Sequence, residues 1–288
     1  MSEVIQAIDF KDSQVYSLFQ SYLKEKIVLF AGLPGVGKSF LLKELSLMAD
    51  AAGLRVHLLQ WDLSRKAFEK DMWLKRYPEV DGVTHAAIRK AVGFWARGAL
   101  LNWYEHHQRE QAILIGEVPL IGNRLIELAQ VQTDEAESLL AEKVLFILPI
   151  PSKALREHIE KSRELTTKRP RHEKEAADAP PWVLRALWQE LYEAGKFMAL
   201  GELKDSQDYD PKLYRAVYQE VLKGRRLLRL ELTETFTNTS SVYDYAVQTQ
   251  ELLASPAEVA KSFSQAEALG ESGDALEQMV KYWYRNAN

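Results

Sequence analysis

Apolar residues along the chain fall into two kinds of pattern, short continuous runs and longer segments of helical spacing. The short runs lie at residues 26–32, 55–62, 112–117, 144–150 and 226–231. Runs of this length are typical of strands that are buried on both faces. Because helices are predicted between them, the sequence predicts an α/β fold with one parallel five-stranded sheet and helices on both of its faces.

The helical spacing of apolar residues, together with capping and breaking residues, places helices between these strands. The predicted helices lie at residues 13–24, 39–52, 84–107, 122–130, 134–142, 153–163, 181–194 and 210–224. Residues 63–83 give a mixed pattern broken by Pro78 and Gly82. The stretch at residues 164–177 is polar and is predicted to be irregular.

The pattern changes after Thr233, where eight acidic residues stand against three basic ones. Ser255-Pro-Ala-Glu258 has the form of a capping box with proline at the first helical position, and a last helix is predicted near residues 274–285. This tail holds too few apolar residues for a core of its own. We therefore predict a main domain over residues 1–235 and a helical C-terminal extension over residues 236–288 that packs on it.

The composition narrows the functional classes. The chain has 288 residues, and 37 basic against 41 acidic residues give a formal net charge of −4, which argues against a general nucleic-acid or anionic-membrane binder. The absence of cysteine excludes disulfides, thiolate metal sites and cysteine nucleophiles. Since no apolar run is long enough to span a membrane and no signal-peptide pattern is visible, we expect a soluble, cytoplasmic protein without a membrane partner.

The most specific motif follows the first strand and matches G-x-x-x-x-G-K-[ST]. Glycines there let backbone N–H groups turn toward phosphate oxygens, and the helix that follows presents a positive dipole end. A lysine adds charge for the β and γ phosphates, and a serine hydroxyl suits Mg²⁺. A structural turn is the less favoured alternative, because the motif has its full strand-to-helix context. The predicted phosphate-binding residues are Gly32, Leu33, Pro34, Gly35, Val36, Gly37, Lys38, Ser39 and Phe40.

With this motif the chain resembles the P-loop NTPases. The guanine-binding string Asn-Lys-x-Asp and the transporter string Ser-Gly-Gly-Gln are both absent. The arrangement is most similar to the P-loop kinases that act on nucleosides, nucleotides and small metabolites, with a thymidylate-kinase-like passage from the fourth strand into the next helix. The shared features are the early phosphate loop, Asp62 after the second strand, Glu117 after the third with Arg124 nearby, and an arginine-rich stretch at residues 163–174. Asp-Arg-Tyr and Glu-Arg-Ser strings are missing after the third strand, so no subfamily is assigned.

The resemblance implies a three-layer P-loop kinase-like fold and transfer of the γ-phosphate of ATP to a small acceptor, with Mg²⁺. Lys38 is the implied catalytic cation. Ser39 and Glu117 are the implied metal ligands, directly or through water. Either Asp62 or Glu117 is the implied base. An N-cap or a solvated loop acid is an equally weighted alternative for Asp62.

The arginine-rich stretch predicts a lid over about residues 164–177, in which Arg163, Arg169 and Arg171 clamp the transferred phosphoryl group. Flanking acids leave a solvated loop as an almost equal alternative. Arg89 and Arg97, on the long helix predicted at residues 84–107, are candidates for gripping the acceptor, although exposed helix arginines are the favoured interpretation.

Two further alternatives remain open from the sequence. One is a regulatory or motor-type ATPase that lacks a small acceptor, and the other is a nucleotide binder without turnover. Trp61, Phe68, Trp73 and Trp95 are candidates for a pocket wall, with the hydrophobic core as the favoured alternative. The expected partners are a nucleoside triphosphate and a small-molecule acceptor, while the acceptor, the ATP or GTP preference and the oligomeric state stay undetermined.

Overall fold

The computed structural model describes residues 7–80, 82–170, 172, 175, 179–200, 208–237, 241–270 and 273–286. The strands are β1 (Ala7–Ile8), β2 (Ile27–Ala31), β3 (Arg55–Gln60), β4 (Ala112–Val118), β5 (Val144–Pro151), β6 (Arg226–Leu232), β7 (Thr235–Phe236) and β8 (Thr249–Glu251). The helices are α1 (Gln14–Tyr22), α2 (Lys38–Ala51), α3 (Trp61–Ser64), α4 (Asp71–Arg76), α5 (Ala86–His107), α6 (Glu137–Glu142), α7 (Lys153–Lys168), α8 (Pro181–Phe197), α9 (Pro211–Val221), α10 (Pro256–Glu267) and α11 (Gly273–Lys281).

The main sheet has six parallel strands in the order β6-β5-β2-β4-β3-β8. The predicted α/β fold and parallel sheet are therefore confirmed, whereas the predicted count of five strands is one short. The sixth strand, β8, is a polar tripeptide that pairs with β3 at the edge of the sheet. It lacks the apolar run by which the other five were recognised. A separate two-stranded pair joins β1 to β7.

Helices cover both faces of the sheet, as predicted. Alternate residues of β2 point to opposite faces: Ile27 and Leu29 belong to one buried cluster, and Val28 and Phe30 to the other. The first cluster includes side chains of α5, α8, α9 and α10, and the second includes side chains of α1 and α2. Strand β2, which leads into the glycine-rich motif, is thus buried on both sides. This burial fixes the position at which the motif begins.

Two helix predictions need correction. The predicted helix at residues 122–130 is only a 3₁₀ turn at Ile126–Leu128, because Leu120, Asn123 and Leu125 adopt left-handed backbone conformations. The helix predicted to end at residue 163 continues as α7 to Lys168. Its last turns are rich in Glu, Lys, Arg and Leu, which are good helix formers whatever their solvation.

The C-terminal residues pack closely on the rest of the molecule. The predicted capping box is confirmed: Ser255 and Glu258 bond to each other's backbone N–H groups at the start of α10. Phe263 of α10 is fully buried and stacks on Trp73 of α4, with ring centroids 3.9 Å apart. None of the helices in the described ranges has the length and apolar character needed to cross a membrane.

Candidate functional site

The glycine-rich loop, residues 32–39, connects the C-terminal end of β2 to the first turn of α2. Gly35 and Gly37 have φ angles of 81° and 90°, a left-handed conformation that side chains disfavour. A Cβ atom on Gly35 would lie 3.3 Å from the guanidinium carbon of Arg156, while one on Gly37 would meet no atom within 4 Å. The loop therefore needs glycine at position 37 for its backbone angle and at position 35 also for its close neighbour.

Three side chains meet at the end of this loop. The Lys38 ammonium donates to the Leu33 carbonyl at 2.9 Å and lies 3.4 Å from a carboxylate oxygen of Glu117. The Ser39 hydroxyl donates to the other Glu117 oxygen at 2.9 Å. Because β4 is the direct neighbour of β2, Glu117 is brought beside the loop. Lys38 is only 3% exposed; burial lowers the pKa of its ammonium, and the nearby Glu117 carboxylate opposes that shift.

An open cleft of about 670 Å³ lies over the loop and the C-terminal ends of the central strands. Of the predicted site residues, Pro34, Gly35, Gly37, Lys38, Ser39, Phe40, Asp62, Glu117 and Arg163 line it. Gly32, Leu33 and Val36 are not among its lining residues. Leu33 and Val36 are buried in the hydrophobic core, so these two side chains anchor the loop.

Asp62 lies at the rim of this cleft. It is the second residue of the short helix α3, two residues beyond the end of β3, and its side chain is 83% exposed. Its nearest cation is Arg65, whose Nε lies 3.5 Å from a carboxylate oxygen. The carboxylate is thus accessible to a molecule that enters the cleft.

The structure separates two of the predicted lid arginines, Arg163 and Arg169. Arg163 belongs to α7 and lines the cleft, whereas Arg169 is exposed just beyond the end of α7 and is not among the cleft residues. Arg171 lies outside the described residues. The predicted lid at residues 164–177 is therefore helical up to Lys168 rather than irregular. Glu175, one of the acids that flank these arginines, is buried and accepts a hydrogen bond from the Ser241 hydroxyl at 2.7 Å.

Arg156 is a functional candidate that the sequence analysis missed. It lies one turn into α7, is only 3% exposed, and presses its guanidinium against Gly35 of the glycine-rich loop. Its Nε donates to Glu160, and its guanidinium carbon lies 5.4 Å from the ring centre of Tyr209. No local motif marks it. The available signal was that the strand before α7 is the other direct neighbour of β2, so that the start of α7 must lie near the loop.

Arg97, a candidate for gripping an acceptor, has a structural role instead. It is fully buried and forms hydrogen bonds to the carboxylates of Asp134 and Glu137, the second of which also bonds Arg225. Exposure, the favoured interpretation, is wrong for this residue. Among the candidate wall aromatics, Trp61 lines the cleft. Phe68, Trp73 and Trp95 instead belong to or pack against the core.

Residues 120–125, which follow β4, form a loop next to the cleft. Arg124 lines the cleft, and its guanidinium makes no hydrogen bond or ion pair with any of the residues that the structure describes. Arg89 lies behind it and donates to the Gly122 carbonyl at 2.9 Å. Glu190 of α8 accepts from the Gly122 N–H at 2.9 Å and from the Trp283 indole at 2.6 Å.

No family model matches the chain, and no curated protein matches it significantly. The function is therefore inferred from the geometry of the cleft.

Proposed function

We propose that the protein is a kinase that transfers the γ-phosphate of ATP to a small acceptor bound in the cleft. One observation carries this proposal: Lys38 and Ser39, at the end of a left-handed glycine loop, converge on Glu117 at the floor of an open cleft. A lysine, a hydroxyl and a carboxylate at a helix N-terminus suit a triphosphate and its cation.

The donor phosphates fit at the start of α2. The first N–H groups of this helix lack intrahelical partners and carry the positive end of its dipole. The Lys38 ammonium, which now bonds the Leu33 carbonyl, is the nearest side-chain cation for the β and γ phosphates. Arg156 behind Gly35 and Arg163 across the cleft add positive charge on the α7 side.

The residues present also fit Mg²⁺. Hard oxygen ligands are what this cation prefers, and it commonly takes one or two protein oxygens together with phosphate oxygens. Ser39 and Glu117 would hold it. When bound, the cation neutralises charge on the β and γ phosphates. The described residues contain no group of three or more acids and histidines suited to a metal, and a site of this kind does not need one.

Asp62 is proposed to orient the acceptor. The acceptor hydroxyl oxygen attacks the γ phosphorus, the bond from that phosphorus to the β–γ bridging oxygen breaks, and ADP leaves with the electron pair. The hydroxyl proton passes to the Asp62 carboxylate. Since Glu117 already bonds Ser39 and Lys38, we assign it to holding the loop and cation rather than to proton transfer.

The proposal includes a P-loop kinase-like domain over residues 1–235 with an extension that completes the cleft. Val242 and Tyr243 of that extension line the cleft, and β8 joins the sheet. This supports a role in small-molecule binding over the alternative of a motor-type ATPase whose tail contacts another protein.

The test measures release and transfer of ³²P from γ-labelled ATP with Mg²⁺, with and without a pool of nucleosides, nucleotides, sugars and sugar acids. We expect transfer that depends on the pool. Lys38→Met should abolish it, whereas Lys223→Met, an exposed lysine outside the cleft, should not. Steady hydrolysis that no acceptor changes would favour the motor-type ATPase, and undiminished ATP turnover by Lys38→Met would refute the assignment of the loop.

A further inference from the structure

The loop at residues 120–125 has an unusual backbone. Leu120, Asn123 and Leu125 have φ angles of 64°, 52° and 66°, and Gly122 has 78°. Left-handed conformations are uncommon in residues that carry a side chain, and such residues cluster at ligand sites, where the surrounding structure forces them. Asn123 is completely buried, and neither of its amide atoms has a hydrogen-bond partner in the described part of the chain. Two backbone hydrogen bonds between Leu120 and Arg124, at 2.8 and 3.2 Å, close the loop and hold these left-handed angles.

What this conformation presents is Arg124. A guanidinium carries five N–H donors, and a buried or half-buried one normally pairs with a carboxylate or a carbonyl. The Arg124 guanidinium pairs with neither among the described residues. Arg65, a neighbour in the same cleft, forms ion pairs with Asp62, Glu69 and Glu79. Since Arg65 is paired and Arg124 is not, we expect a bound molecule to supply the partner of Arg124.

The charges around Arg124 point the same way. The guanidiniums of Arg89 and Arg124 both interact with the carboxylate of Glu190, whose Oε1 already accepts from the Gly122 N–H and the Trp283 indole, and Glu277 also acts on Arg89. Burial lowers the pKa of both arginines, because water no longer stabilises their charge. Asp62 is the other carboxylate that acts on Arg124, from the exposed rim of the cleft. A bound anion would give Arg124 the direct partner that neither of these carboxylates provides.

We infer that Arg124 binds an anionic group of the acceptor, a phosphate monoester or a carboxylate, while a hydroxyl of the same molecule reaches Asp62. This inference rests on the proposed function for the identity of the acceptor. The placement favours the acceptor over ATP. Lys38 and the start of α2 are assigned to the donor phosphates. Arg124 follows β4 and interacts electrostatically with Asp62, which follows β3, the neighbouring strand in the sheet.

The experiment first measures binding without turnover. Inorganic phosphate and acetate are titrated into the full chain saturated with ADP, and heat of binding is recorded by calorimetry. We expect one of the two anions to bind; phosphate alone indicates a phosphate monoester, and acetate alone indicates a carboxylate. Arg124→Gln should weaken that binding at least about tenfold, since charge-assisted hydrogen bonds are lost. Arg124→Lys should restore part of it.

Arg55→Gln is the matched control, because it removes an exposed arginine at the opposite end of β3, where it pairs with Glu110. Absence of anion binding, or equal binding by Arg124→Gln and the parent, would overturn the inference. Competition by an ATP analogue with a γ-phosphate, but not by ADP, would assign Arg124 to the donor and overturn it as well. Phosphoryl transfer to neutral acceptors alone would overturn the inference about Arg124 but leave the proposed kinase function standing. Anion binding without any phosphoryl transfer would support Arg124 as an anion site but overturn the proposed kinase function.

Discussion

Glu117 and Asp62 line the same cleft, yet their surroundings differ. Glu117 bonds the Ser39 hydroxyl and lies beside the Lys38 ammonium, so it is tied to the loop. Asp62 is mostly exposed and has a single weak contact with Arg65. Two carboxylates with such different contacts are suited to two different tasks.

We therefore expect Glu117→Gln and Asp62→Asn to fail differently. Glu117→Gln should reduce both slow ATP hydrolysis and transfer to the acceptor, because the loop and cation lose their carboxylate. Asp62→Asn should reduce transfer by about a hundredfold or more and leave hydrolysis, since only acceptor activation is lost. Both rates can be measured with γ-labelled ATP and Mg²⁺. Equal losses in both assays for both variants would contradict this division of roles.

Residues of the site differed in how readily the sequence revealed them. Lys38 and Ser39 belong to a contiguous motif, and Glu117 directly follows an apolar strand, so local pattern was enough. Arg156 is placed beside Gly35 by the packing of α7, and no local pattern reports on that contact. For the same reason, the buried ion pairs of Arg97 were not predicted, because their partners lie more than thirty residues away.

At the scale of elements, the connection between α5, α6 and the start of β6 depends on buried charges. Arg97 and Arg225 are almost completely buried and share Glu137, with Asp134 as a further partner of Arg97. Burial alone would raise the pKa of Glu137, but hydrogen bonds from Arg225 and Arg97 outweigh it and lower the pKa to about 2. This ion cluster should make the protein sensitive to acid.

A carboxylate whose pKa is lower in the folded than in the unfolded state contributes stability above its unfolded pKa, near 4.5, and loses it as the pH falls toward 2. Glu137→Gln should lower the free energy of unfolding at pH 7 by roughly 3 kcal/mol, because two buried arginines lose a partner. It should also flatten the fall of Tm between pH 4.5 and 2. Tm measured across this range, with exposed Glu135→Gln as control, tests the expectation; an unchanged slope for Glu137→Gln would contradict it.

Secondary structure was predicted correctly where burial leaves a local pattern in the sequence. The strands β2 and β5 are buried at every position and β4 at every position except Glu117, and α5 was recognised from its spacing and length. The prediction did not find β8, because a Thr-Gln-Glu segment carries no apolar signal and becomes a strand only by pairing with β3. The helix predicted at residues 122–130 included the second half of the 120–125 loop, because leucine gives no sign of the left-handed angles found at Leu120 and Leu125.

At the scale of the whole molecule, the C-terminal part is expected to unfold together with the sheet. Phe263 of α10 is completely buried, stacks on Trp73 and lies 5.5 Å from the ring centre of Tyr77. The Tyr77 hydroxyl donates to Glu267 at 2.5 Å, so α4 and the stretch after it are held by the extension.

Phe263→Ala should lower the free energy of unfolding by about 3–5 kcal/mol, because it removes a large core side chain and leaves a cavity. Urea denaturation followed by both tryptophan fluorescence and circular dichroism should show one shifted transition. Leu269→Ala, at a partly exposed position just past α10, should change stability by less than about 0.5 kcal/mol. Two separate transitions, with only the smaller one moved, would show that the extension folds independently.

The pairing of β8 with β3 also has a consequence for biosynthesis. The strand at one edge of the sheet, β6, carries the charged side chains of Arg226, Arg229 and Glu231, which disfavour pairing with another chain. The more apolar strand β3 is covered by β8 only after almost two hundred further residues have been synthesised. During translation, or in a message cut short before codon 249, the edge of β3 is left open to another chain. Incomplete products of this gene should therefore aggregate through β3, and a chaperone that shields nascent strands should raise the yield of native protein.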